Sequence, residues 1–372
     1  MNRDESVTPL LLQRLQLLNF RCHSDCCLDF ASGVNLIYGD NGSGKTSILE
    51  AISLLTGGCS FRRSRSRDLV CWQASNYLVR GYWYRYGMIN VEASGDHNSL
   101  TVSLQGRQIS GRQDLQEHLS LVVDSPQSER LIDDGQRIRR RWIDRLMLTL
   151  TPSMGQHCHH YNRAMLQRSR LIRQRADLSQ IVPWNMQMVT AGYAWIAARN
   201  RVLVTINRYL QEECWIDAEV QLSIKNTLSI IKDSDAIDSG NTDSDSTYYH
   251  DRWLQVLAVT NRQLRVGPHC DTISILLNGR EIVSCGSHGQ QKIVVIILRL
   301  VESMLRAESR YIYPVLMLDD CFEALDSSWQ QRVLLRLQKY PGQVVLTAPN
   351  GDIFSHDGRQ KCNRLIPLSS LS

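Results

Sequence analysis

The sequence predicts an α/β fold whose two halves are separated by a helical insertion. Three observations lead to this prediction. An apolar strand runs directly into a glycine-rich loop and a helix at 34–57, and further apolar strands lie near 313–318 and 343–347. Between them, from Gln136 to Ile230, the chain changes to long Arg- and Gln-rich stretches with helical spacing. A chain of 372 residues is long enough for such a head with an inserted lobe.

The amino-terminal part, residues 1–135, is assigned to the first half of the head. Apolar residues dominate Leu11–Phe20 and Val34–Tyr38, which predicts a strand in each segment. Helical signals begin after Gly44. From 77 to 104 the side chains alternate, as in antiparallel strands, and we expect a side sheet there.

The middle of the chain, residues 136–262, is assigned to an inserted helical lobe. We expect its helices to break near Thr151-Pro152 and near Pro183-Trp184, because proline removes a backbone donor. Residues 233–247 contain five Asp and no basic residue, so we expect a solvated, mobile loop.

Residues 263–372 are assigned to the second half of the head. The pattern of apolar strands returns there, beginning with a strand near 272–277. The apolar stretch Ile293–Leu298 is far shorter than the roughly 20 residues that cross a bilayer, so we expect a buried helix and no membrane span. The first residues lack the pattern of a signal peptide, and the eleven cysteines lack paired metal-ligand spacing. These features together predict a cytoplasmic protein.

Residues 39–46 fit the P-loop pattern between a strand and a helix. Backbone N–H groups of such a loop surround phosphates at a helix N-terminus. We expect Lys45 to reach the outer phosphates of ATP and Thr46 to bind Mg²⁺. An accidental glycine-rich turn is the alternative, but the strand and helix on either side argue against it. The predicted nucleotide-binding residues are Gly39, Asp40, Asn41, Gly42, Ser43, Gly44, Lys45, Thr46 and Ser47.

An apolar strand at 314–318 ends in the carboxylates Asp319 and Asp320, which is the Walker B pattern. We expect Asp319 to bind Mg²⁺ and Asp320 to polarise the attacking water. Taken alone, a strand that ends in an acidic turn is the alternative. Asp319 follows Lys45 by 274 residues, a separation that requires a large insertion between the two halves.

The polar turn Gly286-Ser287-His288-Gly289-Gln290-Gln291 opens directly into an apolar helix. It resembles the ABC signature, in which a serine hydroxyl and glycine N–H groups bind the γ-phosphate of ATP held by the opposite subunit. We therefore expect Ser287, Gly289 and Gln290 to complete the site of a second copy. A simple helix cap is the alternative. The turn precedes Asp319 by 32 residues and Glu323-Ala324-Leu325-Asp326 follows as a D-loop, so we favour an ATP-dependent homodimer.

Taken together these segments resemble the RecF family over nearly the whole chain. The matching segments are 18–21, 39–46, 49–52, 60–62, 131–132, 139–144, 161–163, 167–169, the 267–271 motif (Gly267-Pro268-His269 with Asp271), 286–292 and 318–320. The resemblance implies an ABC-type (SMC-like) ATPase head with a P-loop core and an antiparallel side sheet, plus an inserted helical lobe. It also implies ATP-dependent DNA binding, RecR-like and RecA-like partners, and a role in gap repair, replication restart and the SOS response.

The sequence departs from the family pattern in a few places. Residues 124–128 read Asp-Ser-Pro-Gln-Ser where the family has Phe-x-Pro-Glu-Asp. Asp134 and Gln136 replace a glycine and a proline, and Cys270 replaces an arginine. The first of these departures leaves the Q-loop residue unassigned, whereas the nucleotide site is intact.

Arginines supply the DNA-binding signal, since 36 of the 42 basic residues are Arg and the net charge is +5. From Arg137 to Arg175 there are ten Arg and a single acidic residue. Such clusters neutralise phosphates without reading bases, although a solvated helix face or genomic base composition also produces them. The candidate DNA contacts are Arg62, Arg63, Arg65, Arg139, Arg140 and Arg168.

Two other classes of protein share some of these motifs. The ATPase subunit of a membrane transporter keeps its motifs within a short span and has a switch histidine, whereas Thr347-Ala348-Pro349 follows the last strand here. An SMC-like chromosome organiser needs hundreds of heptad residues between its halves. Asp320 is one methylene shorter than the glutamate of fast ABC enzymes, so we expect a weak ATPase.

Overall fold

The computed structural model describes residues 7–62, 64–109, 111–126, 131–212, 219–225, 253–254, 257, 266–323, 325–351 and 362–368. The chain divides into two compact units. The first unit combines residues 1–130 with 286–372, and the second comprises residues 131–285. The first unit is therefore assembled from both ends of the chain.

The elements are numbered in chain order. The first stretch of the first unit contains β1 (Thr8–Pro9), β2 (Leu11–Phe20), β3 (His23–Asp29), β4 (Val34–Tyr38), α1 (Lys45–Gly57), β5 (Asn76–Tyr84), β6 (Met88–Asp96), β7 (Leu100–Leu104), β8 (Arg107–Gln108), α2 (Arg112–His118) and β9 (Leu121–Asp124).

The second unit contains α3 (Gln136–Leu150), α4 (Met154–Arg173), α5 (Leu178–Glu212), β10 (Val220–Lys225), β11 (Thr272–Leu277), β12 (Arg280–Glu281) and α6 (Ile282–Cys285). The first unit resumes with α7 (His288–Arg310), β13 (Ile312–Tyr313), β14 (Val315–Leu318), α8 (Ser327–Gln338), β15 (Val344–Ala348) and β16 (Arg364–Pro367).

A five-stranded parallel sheet forms the centre of the first unit, with the strand order β16-β4-β15-β14-β9. The side chains of β14 and β15 are buried throughout, and β4 is buried except at Tyr38. Continuous apolar runs of this kind are what a parallel sheet covered on both faces requires. The strands that the sequence predicts near 34–38, 313–318 and 343–347 are confirmed.

The side sheet is antiparallel, with the order β3-β2-β5-β6-β7-β8. Alternate side chains of β5 are buried, which is the pattern of a sheet with one face on the core. Buried Gln343 connects this sheet to the region of β15, because its amide bonds both the N–H of Leu12 (2.8 Å) and the carbonyl of Leu12 (2.9 Å). The predicted antiparallel strands between 77 and 104 are confirmed.

Helix α7 begins the return of the chain to the first unit. It contains the apolar stretch Ile293–Leu298, most of which is buried, as the sequence predicts. Among the helices that the structure describes, none is long and apolar enough to cross a bilayer.

Three helices dominate the second unit. Helix α3 ends at Leu150 and α4 begins at Met154, so the predicted break at Thr151-Pro152 is confirmed. The predicted break at Pro183-Trp184 is wrong, because Pro183 lies inside α5. Pro183 is only the sixth residue of that helix. The one backbone hydrogen bond that it cannot donate therefore lies close to the start of the helix. The chain turns instead at 174–177, where Arg175 has a φ of 55°.

A small antiparallel sheet, β10-β11-β12, also belongs to the second unit. The predicted strand at 272–277 exists, but it pairs with β10, so residues 263–285 group with the lobe and not with the head. The lobe is consequently mixed in secondary structure. The predicted acidic loop at 233–247 lies outside the described residues.

A buried polar network holds the lobe together. The guanidinium of Arg199, which is fully buried, bonds Asp271 (2.8 Å), both oxygens of Asp144 (2.8 and 3.0 Å) and the carbonyl of Pro268 (2.9 Å). Tyr161 joins the same region through a 2.7 Å hydrogen bond with His269 Nδ1. The residues of the 267–271 motif therefore connect to α3, α4 and α5.

Arg199→Met should destabilise the second unit strongly. The substitution removes the cation that compensates the buried carboxylate of Asp271, and such losses cost about 3–5 kcal/mol of unfolding free energy. Urea denaturation followed by circular dichroism measures the change. Exposed Arg201, on the same helix, provides the matched control, and Arg201→Met should shift the unfolding free energy by less than about 0.5 kcal/mol. Equal stability of the two variants would contradict a structural role for the network.

Candidate nucleotide site

The carboxyl ends of the parallel strands bring the predicted nucleotide-site residues together. The P-loop follows β4, and Asp319 and Asp320 follow β14. Thr347 lies in β15, the strand that separates β4 from β14, and Asp124 ends β9. Parallel strands present these ends at one edge of the sheet, which is where open α/β sheets bind ligands.

The P-loop turns sharply into α1 at Gly44. This residue has a φ of 91°, and a β-carbon there would lie 2.6 Å from Cys22 Sγ and 2.5 Å from His23 Nε2. Only glycine fits both the conformation and the space. The ammonium of Lys45 donates to the carbonyls of Gly39 (2.6 Å) and Asp40 (2.9 Å), so it lies beside the first two residues of the P-loop.

Buried Asp319 is surrounded by hydroxyl groups. Its Oδ1 accepts a hydrogen bond from Thr347 Oγ1 at 2.7 Å and lies 3.2 Å from Thr46 Oγ1. Its Oδ2 accepts from Ser125 Oγ at 3.1 Å. The Asp319 carboxylate and the Thr46 hydroxyl are hard oxygen donors, the type that Mg²⁺ prefers. Their separation of 3.2 Å allows both to bind one ion. The residue set therefore fits a magnesium ion held by Thr46 and Asp319.

Asp320 has a positive φ, a backbone conformation that is uncommon for residues other than glycine. Its φ is 48°, and its N–H donates to Thr347 Oγ1 at 2.8 Å. Burial and the neighbouring carboxylate of Asp319 raise the pKa of Asp320, while Lys45 opposes the shift. A carboxylate with a raised pKa accepts a proton more readily, which suits a residue that activates water.

Sequence reasoning missed several groups at this edge. Thr347 bonds the side chain of Asp319 and the backbone of Asp320, and Ser125 bonds Asp319. Asp124 faces Arg299 at 3.5 Å and Lys292 at 3.6 Å. The position of Thr347 and Asp124 at the ends of apolar strands is the signal that could have identified them. The Asp-Ser departure at 124–125 thus contributes to the site, while Gln127 and Ser128 lie outside the described residues.

The signature-like turn forms the N-terminus of α7. Ser287 caps the helix, since its Oγ accepts from the N–H of Gln290 (3.3 Å) and its own N–H donates to Gln290 Oε1 (2.9 Å). This reciprocal pair is a capping box. The helix cap considered from the sequence is therefore present, and Ser287 and Gln290 are both exposed. Of the predicted D-loop, Asp326 caps α8 by accepting from the N–H of Trp329 at 2.9 Å, and Ala324 lies outside the described residues.

Two of the six arginines expected at DNA are interior residues. Arg139 is 3% exposed and bonds the carbonyls of Leu131, Ile132 and Ile273. Arg168 is 4% exposed and bonds Asn185 Oδ1 at 2.9 Å. These two guanidinium groups satisfy buried backbone and amide oxygens, so they are removed from the candidates for phosphate contact. Helical spacing alone could not separate them from the surface arginines.

The other four candidates differ in their accessibility. Arg65 is exposed, and Arg62 is partly exposed with its guanidinium 3.6 Å from Glu50. Arg140 is partly buried and donates to the carbonyl of Asp271 at 2.7 Å. Arg63 lies outside the described residues.

The fold is that of an ABC-type head with a P-loop core, in agreement with the sequence-based fold class. A family described as "AAA domain" matches residues 14–153. Among solved structures, an SMC head domain from Pyrococcus furiosus bound to the C-terminal domain of ScpA is 15% identical with a TM-score of 0.54, covering 92% of this chain and 90% of that one.

The resemblance to RecF is confirmed over nearly the whole chain. RecF of Heliobacterium modesticaldum, a DNA replication and repair protein, is 28% identical, with 92% of this chain and 94% of that protein covered. RecF of Magnetococcus marinus is 29% identical, with 91% of each covered. A solved structure of the recombination mediator RecF with ATP, in the RecFOR pathway, has a TM-score of 0.73 at 22% identity and covers 98% of each chain.

Proposed function

We propose that this chain is an ATP-dependent, DNA-binding recombination mediator of the RecF type. Two copies bind ATP between them, the closed pair clamps DNA, and slow hydrolysis releases it. The observation that carries the proposal is the meeting of Lys45, Thr46, Asp319 and Asp320 at one sheet edge, within a unit that also contains the signature-like turn. The similarity to RecF proteins along the chain supports the DNA-repair context.

ATP binding follows from the P-loop geometry. When phosphates enter, the ammonium of Lys45 exchanges its two carbonyl partners for phosphate oxygens, which form stronger, charge-assisted bonds. The N–H groups at the start of α1 point toward the same phosphates. A magnesium ion held by Thr46 and Asp319 supplies charge neutralisation at the outer phosphates.

Hydrolysis is assigned to Asp320. Its carboxylate accepts the proton of the attacking water, and the hydrogen bond from its N–H to Thr347 fixes the residue at the end of β14. The side chain is short, so its reach toward the water is less favourable than that of a glutamate. The resulting ATPase is weak, and it times the release of DNA.

The second copy completes the site with the N-terminus of α7. Ser287, Gly289 and Gln290 face solvent or are partly exposed in the single chain, and the helix N-terminus favours an anion. We assign the γ-phosphate of the opposite copy to this position. ATP is then the bridge between the two heads, which makes the homodimer ATP-dependent.

The cellular role follows from the same assignment. We propose a cytoplasmic protein that acts in recombinational gap repair, replication restart and the SOS response. RecR-like and RecA-like proteins are the proposed partners, and exposed arginines such as Arg65 supply phosphate contacts that do not depend on DNA sequence.

DNA binding measured with and without ATP tests the proposal. Fluorescence anisotropy of labelled DNA should show tight binding only with ATP and Mg²⁺, and this binding should weaken steeply as salt rises. Sedimentation velocity on the same samples should show a dimer. Equal DNA affinity with and without ATP would contradict the clamp mechanism.

Asp320→Asn should preserve ATP binding and the dimer but slow hydrolysis by about 10² or more, because an amide cannot accept the proton of the water. Phosphate release under single-turnover conditions measures the rate, and the ATP-bound dimer should persist longer. Exposed Glu117 on α2 provides a control, since Glu117→Gln should leave turnover unchanged. Normal turnover in Asp320→Asn would assign the base to another residue.

A further inference from the structure

We propose that residues 59–75, named here the arginine loop, form a binding site for unpaired bases of single-stranded DNA, with Trp72 as the stacking platform. The inference rests on the proposed function and specifies its substrate: DNA in which some bases are unstacked. Four features of the loop support it: the exposure of Trp72, two sets of anchoring contacts, and the local charge.

The side chain of Trp72 is 88% exposed, the largest value among the large hydrophobic residues that the structure describes. Tryptophan side chains are normally well covered, because they carry the largest apolar surface. An exposed aromatic of this kind is a candidate for contact with a ligand that has a flat apolar face.

The start of the arginine loop is fixed by Glu50, a fully buried carboxylate of α1. Arg21 binds it in a bidentate manner at 2.9 and 2.8 Å. Ser60 also donates to Glu50, and Ser64 does so at 2.9 Å. Because Glu50 lies on the helix that begins at the P-loop, the loop is attached to the nucleotide-binding element.

The second half of the loop is fixed by the side sheet. The N–H of Arg21 donates to the carbonyl of Leu69, and the N–H of Cys71 donates to the carbonyl of Asn19, both at 2.8 Å. Ser66 Oγ lies 2.6 Å from the carbonyl of Asp96 in the β6–β7 region. Trp72 therefore follows directly after an anchored residue. The backbone on the N-terminal side of Trp72 is held by these hydrogen bonds.

The positive charge of the arginine loop favours an anionic ligand. The segment contains four arginines and one acidic residue, Asp68, a net charge of +3. Arg65 and Arg67 are exposed, and Arg67 lies 3.6 Å from Asp68 in a pair whose members are both more than 40% exposed, so water screens it. The planar guanidinium of arginine matches the geometry of a phosphate group, which it can bind through two hydrogen bonds.

A positive surface that carries an exposed aromatic side chain is the arrangement that binds single-stranded nucleic acid. Arginines follow the phosphates, while bases stack on the aromatic ring. In a paired duplex the faces of the bases are covered by their neighbours, so Trp72 has nothing to stack on. The loop should therefore prefer a gap or a single-stranded tail over a continuous duplex.

The test compares two labelled DNAs of the same length, one fully paired and one with a gap of about ten nucleotides, with ATP and the full-length protein. Trp72→Ala should weaken binding to the gapped DNA about tenfold, the loss expected for one stacked base, and change duplex binding less than twofold. Trp72→Phe should retain most of the affinity. Tyr86 is 71% exposed with the guanidinium of Arg85 4.7 Å from its ring centroid, so Tyr86→Ala is the matched control and should change neither affinity.

A direct readout accompanies the affinities. Photo-crosslinking from 5-iododeoxyuridine placed in the gap should attach the DNA to Trp72. Unchanged gapped-DNA binding by Trp72→Ala, or equal losses on both DNAs, would overturn the inference while leaving the proposed function standing; a protein partner would then be the ligand of the loop. Failure of the wild-type protein to bind either DNA with ATP would instead overturn the proposed function, and this inference with it.

Discussion

Ser287→Arg is expected to leave ATP binding by each chain nearly unchanged and to abolish the ATP-dependent dimer. Each protomer keeps Lys45, Thr46 and Asp319 at its own sheet edge, so the nucleotide retains its main contacts. Ser287 is exposed at the N-terminus of α7. In the proposed dimer, an arginine there would occupy the space that the γ-phosphate of the opposite copy has to enter. DNA binding stimulated by ATP should disappear with the dimer, while weak, salt-sensitive binding by the monomer survives.

Ser287→Ala separates this effect from loss of the helix cap. The alanine removes the hydroxyl that accepts from Gln290, which costs about 1 kcal/mol of helix stability, but it adds no bulk. The alanine variant should therefore still dimerise, with reduced affinity. ATP titration, sedimentation velocity and DNA anisotropy on both variants measure the three properties. A normal ATP-dependent dimer in Ser287→Arg would show that the turn is only a helix cap.

Lys45→Ala should abolish ATP-dependent dimerisation because it weakens ATP binding, the step that precedes closure of the dimer. In the proposed mechanism the ammonium of Lys45 is the main cationic partner of the outer phosphates, and its removal should weaken ATP binding by at least about tenfold. The two carbonyls that Lys45 now holds, those of Gly39 and Asp40, would also lose their donor.

Exposed Lys339 at the end of α8 supplies the control for the loss of one positive charge. Lys339→Ala should dimerise with ATP as the wild type does. Sedimentation velocity over a range of ATP concentrations distinguishes weaker binding from a failure to close. A Lys45→Ala protein that dimerises normally with ATP would mean that the P-loop does not control closure.

The local pattern of the sequence was sufficient to predict the head. Strand β4, the P-loop and α1 are contiguous, and the burial of β14 and β15 is visible as unbroken apolar runs. The lobe boundary could not be found in this way, because β11 is placed by its pairing with β10 across about 50 residues of chain. Pro183 shows the same limit, since the penalty for proline depends on its distance from the helix start.

The sequence could predict which residues meet at the candidate site where a residue type and a spacing form a recognisable pattern. Lys45, Thr46 and Asp319 are in this group. Thr347 was missed because threonine at a strand end is common, and only the fold brings it to Asp319 and Asp320. The arginines show that some predicted site residues lie elsewhere. Arg139 and Arg65 both belong to Arg-rich segments of the sequence, but Arg139 is buried and Arg65 is exposed.

The order of the central sheet has a consequence for how the chain folds as it is synthesised. Within the described residues, strand β4 pairs with β15 and β16, whose residues follow it by more than 300 positions, as in the pair Leu36–Leu346. By contrast, β2 with β3 and β5 with β6 are neighbours in sequence and can pair early. Closing so long a loop is entropically costly and slow. The backbone N–H and C=O groups at both edges of β4 therefore stay without these strand partners until β15 and β16 have been synthesised, an interval in which the nascent chain is exposed to aggregation.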